Sequence, residues 1–201
     1  MANVHDVAAF ILRALGPMTT KKLQKLVYYS QAWSVAWDGC PLFSSPIEAW
    51  KDGPVVRDLF DRHRGAYEVR VWPVGQADRL TAPQQATIKG VLRFYGRMDP
   101  EKLGELTHRE KPWRLARRGL PLDEASDNVI GIDDIRKYYG SVPRGASKRI
   151  PDEFRRGVEL LLATPERELE ALFEPDPVDG EDVLRWLEED GDDPWARASS
   201  G

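Results

Sequence analysis

The chain of 201 residues has one cysteine, Cys40, and three histidines, His5, His63 and His108. A single thiol cannot close an intramolecular disulfide, so the composition points to a reducing compartment. A metal site needs three or four convergent ligands, and the histidines are far apart with no ligand spacing. No apolar run reaches the length needed to cross a bilayer. The N-terminal MANVHDVAAFILRALG lacks a cationic start and a small-residue cleavage site, so it is not read as a signal peptide and the expected location is the cytoplasm. The phosphate-cradling G-x-x-x-x-G-K-[ST], a G-x-G-x-x-G after a strand, H-E-x-x-H, C-x-x-C and G-x-S-x-G are all missing. Cys40 with His108 could form a nucleophile pair, but Cys40 follows a helix stop and reads better as a small loop residue. No enzymatic activity, catalytic residue, metal or cofactor is therefore expected.

Hydrophobic residues make up 41% and charged residues 31%, the balance of a globular chain, and seven tryptophans suggest an aromatic core or an adhesive surface. The net charge of −4 conceals a division: residues 164–201 hold 13 acidic and 3 basic side chains, leaving 26 basic and 20 acidic for 1–163. A mildly basic body carries a strongly acidic tail, which is a feature of interaction rather than of fold.

The periodicities describe a mainly α protein, a compact multi-helix domain with a short strand or hairpin and a C-terminal helical, acidic extension. Val4, Val7, Ala8, Ile11 and Leu15 form one helical face that Gly16-Pro17 ends. Thr19 or Thr20 caps a second helix running to about Trp37, apolar over most of its circumference and hence central. A brief extended piece is expected at 47–50. Pro54 is expected to open a third helix over 54–64, and a short strand lies within 67–74. Further helices are expected over 81–98, 100–110, from Pro112 with Trp113, Leu115 and Ala116 as its apolar residues, and over 132–139. Pro143-Arg-Gly-Ala-Ser-Lys reads as a linker, followed by short helical stripes around Phe154–Leu162, 164–173 and 180–190. Lys21, Lys22 and Lys25 at a helix start raise a DNA-binding regulator as an alternative. That helix is too apolar to lie in a groove, so the lysines read as the solvated edge of a core helix and nucleic acid is not the expected partner.

Three stretches, preceded by the short amphipathic first helix, carry a family resemblance: MTTKKLQKLVYYSQAW (18–33), PIEAWKDGPVVRDLF (46–60) and KGVLRFYGRMDPEKLGELTHREKPW (89–113). Their order and separation resemble the SocA-like antitoxin domain, also called Panacea and sometimes known as a phage-associated protein. The resemblance covers about 3–140, with 141–201 as linker, short helices and acidic tail. It implies a mainly helical, non-catalytic antitoxin that binds and neutralises a cognate toxin protein. It also implies, as an alternative, an adaptor delivering the toxin to a ClpXP-type protease.

The motif positions Leu23, Gln24, Lys25, Tyr28, Trp50, Gly53, Pro54, Val55, His108 and Trp113 are structural or partner-binding candidates. Gln24 either bonds a neighbouring backbone or is a surface amide. Gly53 before Pro54 supplies a conformation other residues resist. Trp50 reads as core before partner contact, Trp113 as a core plug, and His108, near a helix end, as satisfying a free carbonyl. In the tail, Leu172, Phe173, Trp186 and Leu187 either belong to an arm that docks on a basic partner or pack back as a solvated helix.

Overall fold

The first helix, α1 (Val4–Leu15), starts where Asn3 Oδ1 accepts the His5 N–H at 2.9 Å, and it ends at Gly16 in a left-handed conformation (φ 76°). This is the computed structural model of the chain; it describes residues 1–141. Pro17 precedes a two-residue strand, β1 (Met18–Thr19), and Thr19 then caps α2 (Thr20–Trp37) by accepting the Lys22 N–H. Twelve of the eighteen residues of α2 are buried, which makes it the axis on which α1, α4, α5 and α7, bounded below, are packed. Leu23, Leu26, Val27, Tyr28, Tyr29 and Ala32 are wholly inaccessible. Each large apolar side chain so buried contributes on the order of 2 kcal/mol.

Two glutamines on α2, two turns apart, attach irregular chain to this axis. Gln31 Oε1 accepts from the Leu42 and Phe43 N–H groups, and its amide nitrogen donates to the Phe43 carbonyl. Gln24 does the same for the hairpin formed by β2 (Ile47–Trp50) and β3 (Gly53–Val56). It accepts the Val56 N–H at 2.8 Å and donates to the Val56 carbonyl at 3.2 Å, behaving as one residue of an extra strand. The other edge of β2 is covered by residues 128–130 through Ala49 N–H to the Asn128 carbonyl and Ile130 N–H to the Ile47 carbonyl.

Pro54 does not open a helix. It lies in β3 opposite Ala49, and α3 begins three residues later as Arg57–His63. Ala49 spends its N–H on Asn128, so Ala49 and Pro54 form a non-hydrogen-bonded pair in which the proline needs no donor. The local signal is the same at both kinds of position. The strand expected over 67–74 is reduced to β4 (Glu68–Val69), paired antiparallel with β1. Its partner sets its length, because β1 is hemmed between Pro17 and the start of α2.

Three further helices follow: α4 (Ala82–Tyr95), with a Thr81/Gln84 capping box, α5 (Pro100–Arg109) and α6 (Lys111–Arg117). Trp113 and Ala116 of α6 are buried as expected, whereas Leu115 faces outward, 57% exposed. The last described element is α7 (Ile132–Ser141). The described residues thus form seven α-helices and two small antiparallel sheets, the mainly α architecture that the periodicity predicts. The linker and the helical stripes expected beyond 141 lie outside the described residues, and none of the described helices is long and apolar enough to cross a membrane.

Candidate functional site: the corner between the hairpin turn and α5

The three motif stretches meet at one place. Lys25 points from α2 into the end of the hairpin, where its ammonium donates to the Pro54 carbonyl at 3.0 Å. Gly53 sits beside it with φ 94°, and a methyl group there would lie 2.7 Å from Thr107 Oγ1 and 2.8 Å from Lys25 Cε and Nζ. Glycine is required at this position twice over, by conformation and by room. Thr107 turns its hydroxyl to the Gly104 carbonyl of α5 at 2.8 Å. Lys21, one turn before Lys25, reaches over Gly104, whose notional methyl would stand 3.7 Å from Lys21 Nζ.

Behind this corner, Trp113 donates its indole N–H to the Trp50 carbonyl at 2.9 Å and is 1% exposed, the core plug expected of it. His108 stacks on Trp113, with ring centroids 4.3 Å apart. The Arg117 guanidinium lies 4.9 Å from the centre of the same indole and donates to the carbonyls of Ala49, Pro121 and Glu124. The backbone of the hairpin is thereby held from two sides, by Gln24 and Lys25 on β3 and by Trp113 and Arg117 on β2.

The electrostatics follow from this burial. Lys25, 1% exposed, is pushed down to about 7, first by burial and then by the Lys21 charge, with Asp52 opposing. His108 is held below its ordinary value by burial and then by Lys25, with Lys21 and Arg117 adding to the effect and Asp52 opposing it. His108 Nε2 has no partner, so the expected bond to a helix-end carbonyl is not made through that atom.

One turn further along α2, the phenols of Tyr28 and Tyr29 and that of Tyr139 from α7 all donate to Glu110, at 3.3, 3.0 and 2.6 Å. Glu110 joins α5 to α6, and burial raises its carboxyl to about 7 against the opposing pull of those three hydrogen bonds.

Of the positions singled out from sequence, Lys25, Gly53, Pro54, His108 and Trp113 converge at the corner. Leu23 is wholly buried and Val55 nearly so. Gln24 anchors the hairpin, and Tyr28 belongs to the Glu110 cluster. Trp50 is half-buried against Phe60, with the Arg57 guanidinium 5.3 Å from its ring. The lysines at the start of α2 are not all a solvated edge, because Lys25 is buried; Lys21 and Lys22 are what remains of the basic turn. Leu172, Phe173, Trp186 and Leu187 lie outside the described residues. Asp52, Thr107, Glu110 and Arg117 are not among the site candidates that the sequence offered. Glu110 stands inside Thr-His-x-Glu-x-Pro-Trp and could have been found there, while nothing local distinguishes Arg117 from a surface arginine.

No curated protein and no solved structure matches the chain. The family model for Antitoxin SocA-like, Panacea domain, matches residues 23–114, beginning at the buried Leu23 and ending one residue after Trp113. That span contains Lys25, Gly53, Thr107, His108 and Trp113 of the corner and the carboxylate that α7 is bonded to, and over this stretch the chain is similar to the SocA-like antitoxin, or Panacea, domain.

Proposed function

We propose that this protein is an antitoxin that binds a cognate toxin protein and neutralises it by covering its surface. The observation that carries this reading is the match of residues 23–114 to the antitoxin domain. The geometry favours a binding module, because the motif side chains are spent on building the frame. Gln24, Lys25, Trp113 and Arg117 bond the hairpin backbone from inside. The outer surface is then free to suit a particular partner. Tyr67 and Val71, 82% and 77% exposed, and the outward Leu115 and Leu122 are apolar side chains of the kind that anchor such a contact.

The functional unit is taken as 3–140, since Tyr139 of α7 bonds Glu110 within the matched span. Residues 164–201 act as an acidic arm toward a basic partner, with Leu172, Phe173, Trp186 and Leu187 as its apolar contacts. The protein works in the cytoplasm, without cofactor and without turnover of a substrate.

The test is co-expression with the small open reading frame beside its gene. The expected result is that the frame is toxic alone, that growth returns with the antitoxin, and that the two proteins purify as a complex. An adjacent product that is toxic but neither bound nor neutralised would overturn the reading. Toxin abundance in the same cells separates direct neutralisation, in which it is unchanged, from delivery to a ClpXP-type protease, in which it falls. Removing 175–201 is expected to weaken the complex at low salt more than at high salt; equal affinity in both would dismiss the arm.

A further inference from the structure

Buried polar atoms are almost always partnered, so each one left alone calls for a physical reason. Among the described residues, two buried side-chain nitrogens have no partner: His108 Nε2 and Arg117 Nε. Both side chains lie against the same indole, Trp113. Lys25 reaches the same corner from α2, its Nζ and the Oγ1 of Thr107, which precedes His108, lying 2.8 and 2.7 Å from one point beside Gly53; this buried ammonium has three donors and one hydrogen bond, to a carbonyl. Arg117 likewise bonds only carbonyls. The corner therefore buries two cations whose partners are all neutral oxygens, together with an orphaned imidazole nitrogen. Lys21, 38% exposed, stands at the rim over Gly104 and is paired outward with the exposed Glu101 at 3.6 Å, and Asp52, exposed in the hairpin turn, is the acidic group whose field reaches both Lys25 and His108.

Keeping one unpaired buried charge costs several kcal/mol. An apolar side chain of similar length would fill the place of Lys25 without that cost. One ligand class answers the deficits at Lys25 and His108 together: an oxyanion accepts from the remaining Lys25 donors and from His108 Nε2–H, and it offsets the local positive charge. We propose that the corner between the β2–β3 turn and α5 is a binding site for a small oxyanion, a carboxylate or a phosphate, held by Lys25 Nζ and His108 Nε2. Lys21 and Arg117 contribute their fields, and Asp52 at the mouth competes with the ligand. This inference is independent of which partner protein the antitoxin binds.

The test uses the full chain with isotopically labelled histidine, in which His5 and His63 serve as internal controls. Sodium acetate and inorganic phosphate are titrated in separate arms near pH 7, with ionic strength held constant by chloride. The expected result is a saturable movement of the His108 resonances alone, in one or both arms, with the His108 titration midpoint displaced upward. Which arm responds identifies the oxyanion. Two exposed variants keep the fold: Asp52→Asn is expected to tighten binding and Lys21→Gln to weaken it, each about threefold, the scale of one partly screened charge. Lys25→Met is expected to abolish the response. Movement shared by all three histidines, movement that grows without saturation, movement matched by chloride, or indifference to both exposed variants would each overturn the proposal.

Discussion

One turn of α2 separates two buried ionisable groups that the fold treats in opposite ways. Glu110 receives three phenolic hydroxyls, from Tyr28, Tyr29 and Tyr139, and these tie the α5–α6 junction to α2 and α7. Lys25 receives one carbonyl, and its neighbour His108 leaves Nε2 bare. Both groups pay the desolvation of a buried charge, and only the first recovers it in bonds that hold elements together. The contrast separates polar groups that build the frame from polar groups that the frame keeps open. A satisfied network rigidifies and specifies a core; an unsatisfied one, kept in an otherwise well-packed interior, is available to something else.

The largest effect expected from this contrast is at Glu110. Glu110→Leu would strand three buried hydroxyls at once, and the loss of stability in urea unfolding is expected at about 3–5 kcal/mol. A loss under about 1 kcal/mol would mean that the cluster does not hold the helices together.

Next in size is the pH dependence, where the two groups act with opposite sign. The Glu110 carboxyl is raised from 4.5 to about 7, so the folded state binds its proton more tightly than the unfolded chain does. Its contribution is fully present below about 4.5 and is lost as pH rises to about 7, a change of at most about 3 kcal/mol. The Lys25 ammonium is lowered from 10.5 to about 7, so the folded state gives up its proton first. Stability then recovers as pH rises from about 7 toward 10.5. These two groups together predict a minimum of stability near neutrality. Glu110→Gln is expected to flatten the acid limb and Lys25→Met the alkaline limb. Unfolding free energies measured across that range check both, and limbs unchanged by the variants would mean that neither group titrates as its burial requires.

A smaller effect tests whether the corner is as tight as the distances say. Gly53→Ala meets both a left-handed φ and two side chains closer than 3 Å, and is expected to cost about 2–3 kcal/mol. Gly65→Ala carries the same conformational penalty, φ 81°, with nothing within 4 Å, and should cost about 1 kcal/mol. Equal losses in thermal unfolding would remove steric crowding from the account of the corner.

The same division marks what the sequence could reveal. The central place of α2 was legible because its apolar residues run around the whole helix, and the Thr19 cap because capping is a local act. Gln24 stood open between a backbone bond and a surface amide, and only the position of β3 decides it. Lys25 reads as one of three solvated lysines, since no local pattern reports that a hairpin from 47–56 folds over it. Pro54 misled for a related reason: a proline needs no donor at a helix start or at a non-hydrogen-bonded strand position, and what selects between them is Ala49 spending its N–H on Asn128. Periodicity and capping are written within a few residues. The pairing of a buried cation with its surroundings is written across eighty.

The smallest expected effect is the one that bears most directly on the contrast. His108→Leu removes an imidazole whose Nε2 has no partner and whose burial therefore costs about 1–3 kcal/mol. The same change forfeits the stacking on Trp113, about 0.5–1.5 kcal/mol, and restores apolar contact of similar area. The opposing contributions leave a net change within about 1 kcal/mol of zero in anion-free buffer. The Glu110 replacement, two residues away, is expected to cost several times as much, although both remove an ionisable side chain, one buried and the other half-buried. A loss at His108 above about 2 kcal/mol, measured by urea unfolding in chloride alone, would mean that Nε2 is bonded within the protein itself and would place the corner with the Glu110 cluster as part of the frame.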